Sequence, residues 1–178
     1  MSRKLLTVAA LTTFAMPLAP SPAHAQFSYG VAAGATKALG QLGPQVDIGY
    51  NAMASVLFLP PLAPIGFRFD GMYNEFSYKP VPPVTPAGSK GRVYAATANA
   101  MLTSPGVLGP YVVGGIGYYH FSVSPATAGA SGNDDIGANL GVGYRIGLAG
   151  FSAYGEARYH YVGSNRYQIV PITIGVTF

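Results

Sequence analysis

Cysteine and tryptophan are both absent from the 178 residues. Without cysteine there is no disulfide framework, no thiolate nucleophile and no cysteine-ligated metal. Charge is scarce too. Asp, Glu, Lys and Arg together make up 9% of the chain, against roughly 25% in a soluble globular domain. There is also no unbroken run of about 20 apolar residues, so no membrane-spanning helix is predicted. Setting Arg3 and Lys4 aside, the 10 basic residues fall to 8 against 6 acidic ones. That balance is too even to imply a nucleic-acid partner.

What is abundant is glycine (24), proline (15) and tyrosine (13). A positive mean hydropathy without a long apolar run arises when only alternate residues meet an apolar phase, as in strands with one lipid-facing side. The length suits one domain.

The first 25 residues have the layout of a secretory signal. Arg3 and Lys4 form a positive start, Leu5 to Met16 an apolar centre, and Ala23-His24-Ala25 a small-x-small cleavage site. The mature chain is expected to be residues 26–178, beginning at Gln26. Pro17, Pro20 and Pro22 oppose a continuing structural helix.

The last strand sets the pattern for the rest. Val170, Ile172, Ile174, Val176 and Phe178 form an apolar file, and Pro171, Thr173, Gly175 and Thr177 a lean one. Side chains alternate sides along a strand, so the two files face opposite ways. Seven earlier segments repeat the pattern: 27–36, 45–56, 65–76, 92–103, 111–124, 134–146 and 151–162. Turn signals separate them. The densest is Lys79 to Lys90, where Pro80, Pro82, Pro83 and Pro86 exclude a strand.

Strand charges gather on the lean face: Asp47, Arg68, Asp70, Asp135, Arg145, Glu156 and Arg158. An eight-stranded barrel has an interior just wide enough for side chains. The lean face, rich in Gly, Ser, Ala, Thr and Asn, fits that interior, and the bulky apolar face fits lipid. On 111–124 the outward file is read as Val113, Tyr119, Phe121 and Val123, which turns Tyr118, His120 and Ser122 inward. Aromatic girdles are expected at both interfaces. Phe67, Tyr111, Tyr144, Phe151 and Phe178 belong to the terminal end, and Tyr73, Tyr94, Tyr119, Tyr159 and Tyr161 to the other. The fold class is therefore all-β: an eight-stranded antiparallel up-and-down transmembrane β-barrel. The loops Lys37 to Pro44, Lys79 to Lys90, Pro125 to Asn133 and Gly163 to Arg166 are assigned to the outside.

Confined charges must pair. Arg68 with Asp70 or Asp47, and Arg158 or Arg145 with Glu156, are the expected partners. With Asn99 and His160 they form an inward polar network that closes the lumen; a narrow gated pore is the alternative. His160 reads as a hydrogen-bonder rather than a metal ligand, and no metal or other cofactor is expected.

Three stretches carry a family resemblance: Pro110 to Tyr118, Gly155 to Tyr161 and Val170 to Phe178. With these, residues 26–178 resemble the small eight-stranded outer-membrane barrels, the OmpA/OmpX-like and opacity-like domains. The resemblance implies a bacterial outer-membrane location. It also implies that Phe178 and its strand are read by the barrel-assembly machinery. It suggests a monomer with a structural or interaction role at the cell surface (envelope integrity, adhesion or surface contact) and no enzymatic activity. In contrast to OmpA, no peptidoglycan-binding domain is expected after the barrel, and so no cell-wall tether.

One arrangement points elsewhere. His120-Phe121-Ser122, with Asp134 and Asp135 downstream, resembles the His-x-Ser and acid of outer-membrane lipid A deacylases. His120 would activate Ser122, and Asp135 would orient the ring. The inward parity assigned to both residues argues against it, since those sites open toward lipid. Lys37, Lys79, Lys90, Arg92 and Arg166 could meet lipopolysaccharide phosphates, or simply be solvated loop charges.

Overall fold

The computed structural model describes residues 26–60, 64–80, 88–104, 108–124, 132–163 and 167–178. The expected leader, residues 1–25, lies outside these, as do Arg166 and the prolines Pro82, Pro83 and Pro86 of the expected loop.

Alternating apolar and small residues produce eight strands: β1 (Gln26–Gly40), β2 (Gly49–Leu59), β3 (Ile65–Ser77), β4 (Lys90–Thr103), β5 (Leu108–Ser124), β6 (Asn133–Leu148), β7 (Phe151–Val162) and β8 (Tyr167–Thr177). Each pairs antiparallel with the next, and β8 returns to β1 to close the barrel. The seam continues past β8. The Tyr29 amide donates to the Phe178 carbonyl at 3.0 Å, and the Phe178 amide to the Tyr29 carbonyl at 2.8 Å. Closure leaves no unpaired strand edge.

The strands lie where the alternation put them, with shifts at the ends. β2 begins at Gly49 rather than Gln45, because a short 3-10 turn at Gly43–Gln45 comes first. Pro44 supplies no amide for a strand ladder. That turn folds toward the barrel. Leu42 and Val46 are buried, and Lys79 donates its amide to the Gln45 carbonyl at 2.9 Å. At the other end, β6 and β7 are joined by a two-residue turn whose Gly150 takes a φ of 88°, a conformation costly for other residues.

The two faces separate as the sequence implies. Outward lie Phe69, Ile116, Ile136, Leu140, Ile172 and Ile174, each about 60% exposed or more. The interior is layered. Charge and amide groups fill its middle, while the end away from Gln26 and Phe178 (the distal end) is apolar, with Phe76, Val93, Val162 and Ile169 fully buried. That apolar layer departs from the uniformly polar lumen expected.

Strand β5 has the opposite parity to the one expected. Val113 and Tyr119 are fully buried and Tyr111 nearly so, while Tyr118 is exposed. The cause is hydrogen bonding. A tyrosine can fill a barrel interior when its hydroxyl finds a polar partner. Tyr111 donates to Glu156 at 2.8 Å, and the Tyr119 hydroxyl sits 2.8 Å from His160 Nδ1. Glycine makes room for the rings. A Cβ on Gly143 would lie 2.2 Å from the Tyr111 ring, and one on Gly175 2.6 Å from the Tyr154 ring. Tyr111 and Tyr119 therefore leave the expected girdles. Tyr50 and Tyr118 stand outward instead.

Candidate functional site: a bridged lumen and an outward polar shelf

The alternation of β3 and β7 aims Arg68, Asp70, Glu156 and Arg158 inward, and in an eight-strand ring these two strands stand opposite each other. Each pair is two residues apart on one strand, so its members share a face. Arg68 bonds Asp70 at 3.0 Å along β3 and reaches across to Glu156 at 2.8 Å. Arg158 pairs with Glu156 along β7 and reaches Asp70 at 2.8 Å. The result is a neutral ring of alternating charge spanning the lumen. All four side chains are about 3% exposed or less.

Amides extend the ring. Asn99 Nδ2 donates to Asp70 at 2.9 Å, and Asn139 Nδ2 to Asn99 Oδ1 at 2.9 Å. Asn139 was not among the residues singled out from the sequence. Neither was Tyr111, assigned to the outer surface. His160 is fully buried beside Tyr119, with the two rings meeting edge-on at 5.8 Å. Buried charges without such partners would be expensive. Here each of the four has an opposite charge on its own strand and another on the facing wall.

Two residues expected in this network are not in it. Asp47 precedes β2 and points to solvent, its side chain 63% exposed and 4.0 Å from Lys79. The 3-10 turn places it beyond the ladder rather than inside the barrel. Arg145 lines a small hollow at the terminal end with Leu57, Met101 and Tyr154, and it makes none of the ion pairs among the described residues.

A second polar group lies outside the barrel at the distal end. Glu75 accepts from Arg92 Nε at 2.9 Å and from the Tyr73 hydroxyl at 2.7 Å, and it pairs with Lys90. Lys90 and Arg92 remain 45% and 35% exposed. Below this shelf runs a row of rings from β2 to β5. Tyr50 and Tyr73 have centroids 6.2 Å apart, Tyr73 and Tyr94 5.2 Å, and Tyr94 and His120 6.2 Å. The shelf was visible in the sequence only as scattered basic residues; the register Glu75↔Arg92 assembles it.

The reversal of β5 moves His120 and Ser122 outward. His120 Nδ1 lies 2.6 Å from Asp134 Oδ1, which is its neighbour in register on β6. Asp135, the acid expected to orient the ring, alternates to the inner side. Ser122 sits opposite Arg92, and among the described residues its hydroxyl has no hydrogen-bond partner. The site thus holds an acid–base pair without an engaged nucleophile. No group of three or more metal-ligating side chains occurs among the described residues.

Compared by sequence, the chain matches no family model and no curated protein. Compared by structure, it is similar to Neisserial surface protein A at 19% identity and a TM-score of 0.65, covering 85% of this chain and 95% of that one. It is similar to Ail, the attachment invasion locus protein of Yersinia pestis, at 9% identity and a TM-score of 0.61, covering 87% and 99%. The N-terminal β-barrel domain of Pseudomonas aeruginosa OprF matches at 16% identity and a TM-score of 0.53, covering 87% and 100%. The likeness is one of fold: the chain is built as the small eight-stranded outer-membrane barrels are.

Proposed function

We propose that the protein is a closed barrel of the bacterial outer membrane whose role is structural and adhesive at the cell surface. The observation that carries this reading is the charge ring joining β3 to β7. A lumen crossed by four hydrogen-bonded charges is a plug, which leaves the outer surface and the distal end to act. The apolar outward face supports the membrane location, since a soluble protein rarely exposes so much contiguous apolar surface. In this reading residues 1–25 direct export, Phe178 and β8 are the signal read by the assembly machinery, and the barrel is monomeric. Ail is an attachment invasion locus protein, and one of its structures holds a heparin analogue, sucrose octasulfate. Contact with sulfated surface glycans through Lys37, Lys79 and Lys90 is the corresponding role here.

The test pairs two measurements. Purified protein in planar bilayers is expected to be electrically silent. Cells expressing it are expected to adhere to heparin-coated surfaces more than cells lacking it. Steady conductance from the unaltered protein would replace this reading with a pore.

A second reading rests on the outward His120–Asp134 pair. It is hydrolysis of an acyl ester at the membrane surface, with Ser122 as nucleophile. A nucleophile and base within hydrogen-bond reach is the signature of such chemistry. Ser122 lacks that bond, so the non-enzymatic reading is retained.

A further inference from the structure

We propose that the outward wall of β2 to β5 is a specific binding site for a phosphorylated, acylated glycolipid of the lipid A type. The proposal goes beyond the adhesive role and does not depend on it; it needs only the membrane placement.

The outward file of β4 reads from the distal end as Lys90, Arg92, Tyr94, Ala96, Ala98, Ala100, Leu102. Residues two apart on a strand are separated by roughly 7 Å. This file therefore descends from cations through an aromatic to a low apolar floor. Its neighbours follow the same order: Glu75, Tyr73, Gly71, Phe69 on β3, and Tyr50, Ala52, Ala54, Val56 on β2. An amphiphile lying against the wall would meet charge, then interface, then hydrocarbon, in its own order.

The floor is shallow and open to its surroundings. Two hollows of about 660 and 740 Å³ share Val31, Ala54, Gly71 and Ala96 and so form one groove. Tyr73, Tyr94 and Tyr118 close its distal end, and Phe69 rises at the other. A Cβ on Gly71 would touch nothing within 4 Å. Packing within the barrel therefore does not require glycine there. The volume suits acyl chains.

Charge selects the occupant. The shelf above the groove has two cations, Lys90 and Arg92, around one anion, Glu75. Both are substantially exposed, leaving one net positive charge beside donors free to turn toward an incoming group. Arginine and lysine together suit a phosphate monoester. In the outer leaflet, a lipid with several chains and a phosphorylated head matches both the apolar floor that spans β2 to β4 and its cationic end. A single-headed phosphoglycerolipid would match only part of it.

Native mass spectrometry of the detergent-solubilised barrel, mixed with bisphosphorylated hexa-acylated lipid A, tests this. The unaltered protein is expected to retain one lipid A, and to retain dephosphorylated lipid A and phosphatidylglycerol far less. Lys90→Gln with Arg92→Gln should weaken retention about thirtyfold. Gly71→Phe should abolish it by filling the groove. Gly155→Phe is the control. That glycine also faces outward with open space around it, but on β7, and its substitution should leave binding unchanged. Folding of each variant is checked by the heat-dependent shift in electrophoretic mobility. Equal loss in Gly71→Phe and Gly155→Phe would overturn the site. Equal retention of phosphatidylglycerol would overturn lipid A as its occupant. A dimer lost in Gly71→Phe would overturn it too, assigning the wall to a second copy of the chain.

Discussion

Arg68 and Glu156 join hands across the lumen, with Nη2 donating to Oε1 at 2.8 Å. They stand 88 residues apart in sequence and on strands that never pair. Arg158 and Asp70 make the reciprocal crossing at the same distance. Each carboxylate serves one arginine of its own strand and one from the opposite wall.

Glu156 has the most to lose by substitution. Glu156→Gln should leave Arg68 and Arg158 facing a single carboxylate and lower stability by about 3 kcal/mol, the scale for removing one partner of a buried pair. Urea unfolding in lipid vesicles measures it. Asp47→Asn is the comparison, because exposed pairs contribute about 0–1 kcal/mol and Asp47 is exposed. Equal midpoints for the two variants would refute the ring as a source of stability.

Gly143 is held to glycine by the Tyr111 ring at 2.2 Å from its missing Cβ. Gly143→Ala should cost about 1–3 kcal/mol through overpacking, and adding Tyr111→Leu should recover part of that loss. The same unfolding series reads both. No recovery in the double variant would mean the alanine clashes with backbone instead.

Ser122→Ala separates the two functional readings. The mass of lipid A extracted from cells expressing the unaltered protein is expected to equal that from cells expressing the variant. A lighter, deacylated species that disappears with Ser122→Ala would establish the hydrolase and displace the non-enzymatic reading.

The barrel was legible because burial in it has a period of two, and below their polar distal ends (Glu75, Lys90 with Arg92, Asp134) the outward files of β3, β4, β6 and β8 are apolar or small. β5 was not, because Val113 and Tyr119 sit on one file and Ile116 and Tyr118 on the other. The buried file, which also holds Tyr111, Phe121 and Val123, is the greasier of the two, so the rule that bulky residues face lipid pointed the wrong way here. The deciding facts, Tyr111 to Glu156 and Tyr119 to His160, are contacts with β7, which no local pattern encodes. The charge ring was half legible for the same reason. Arg68 with Asp70 lies within reach of a strand pattern, whereas Arg68 with Glu156 exists only once the sheet has closed. The shelf needed register: Arg92 meets Glu75 because β3 and β4 align Ser77 with Lys90.

The crossing of β3 to β7 also has a mechanical meaning. A ring of eight strands braced by side chains from opposite walls resembles a wheel with a spoke. Its cross-section is held round by bonds that tolerate little stretch, since a hydrogen bond weakens steeply outside its narrow geometry. A bilayer that thins or thickens around such a barrel has to tilt it whole. Any surface built on its rim, the Lys90–Arg92 shelf included, would then move with the frame as one piece.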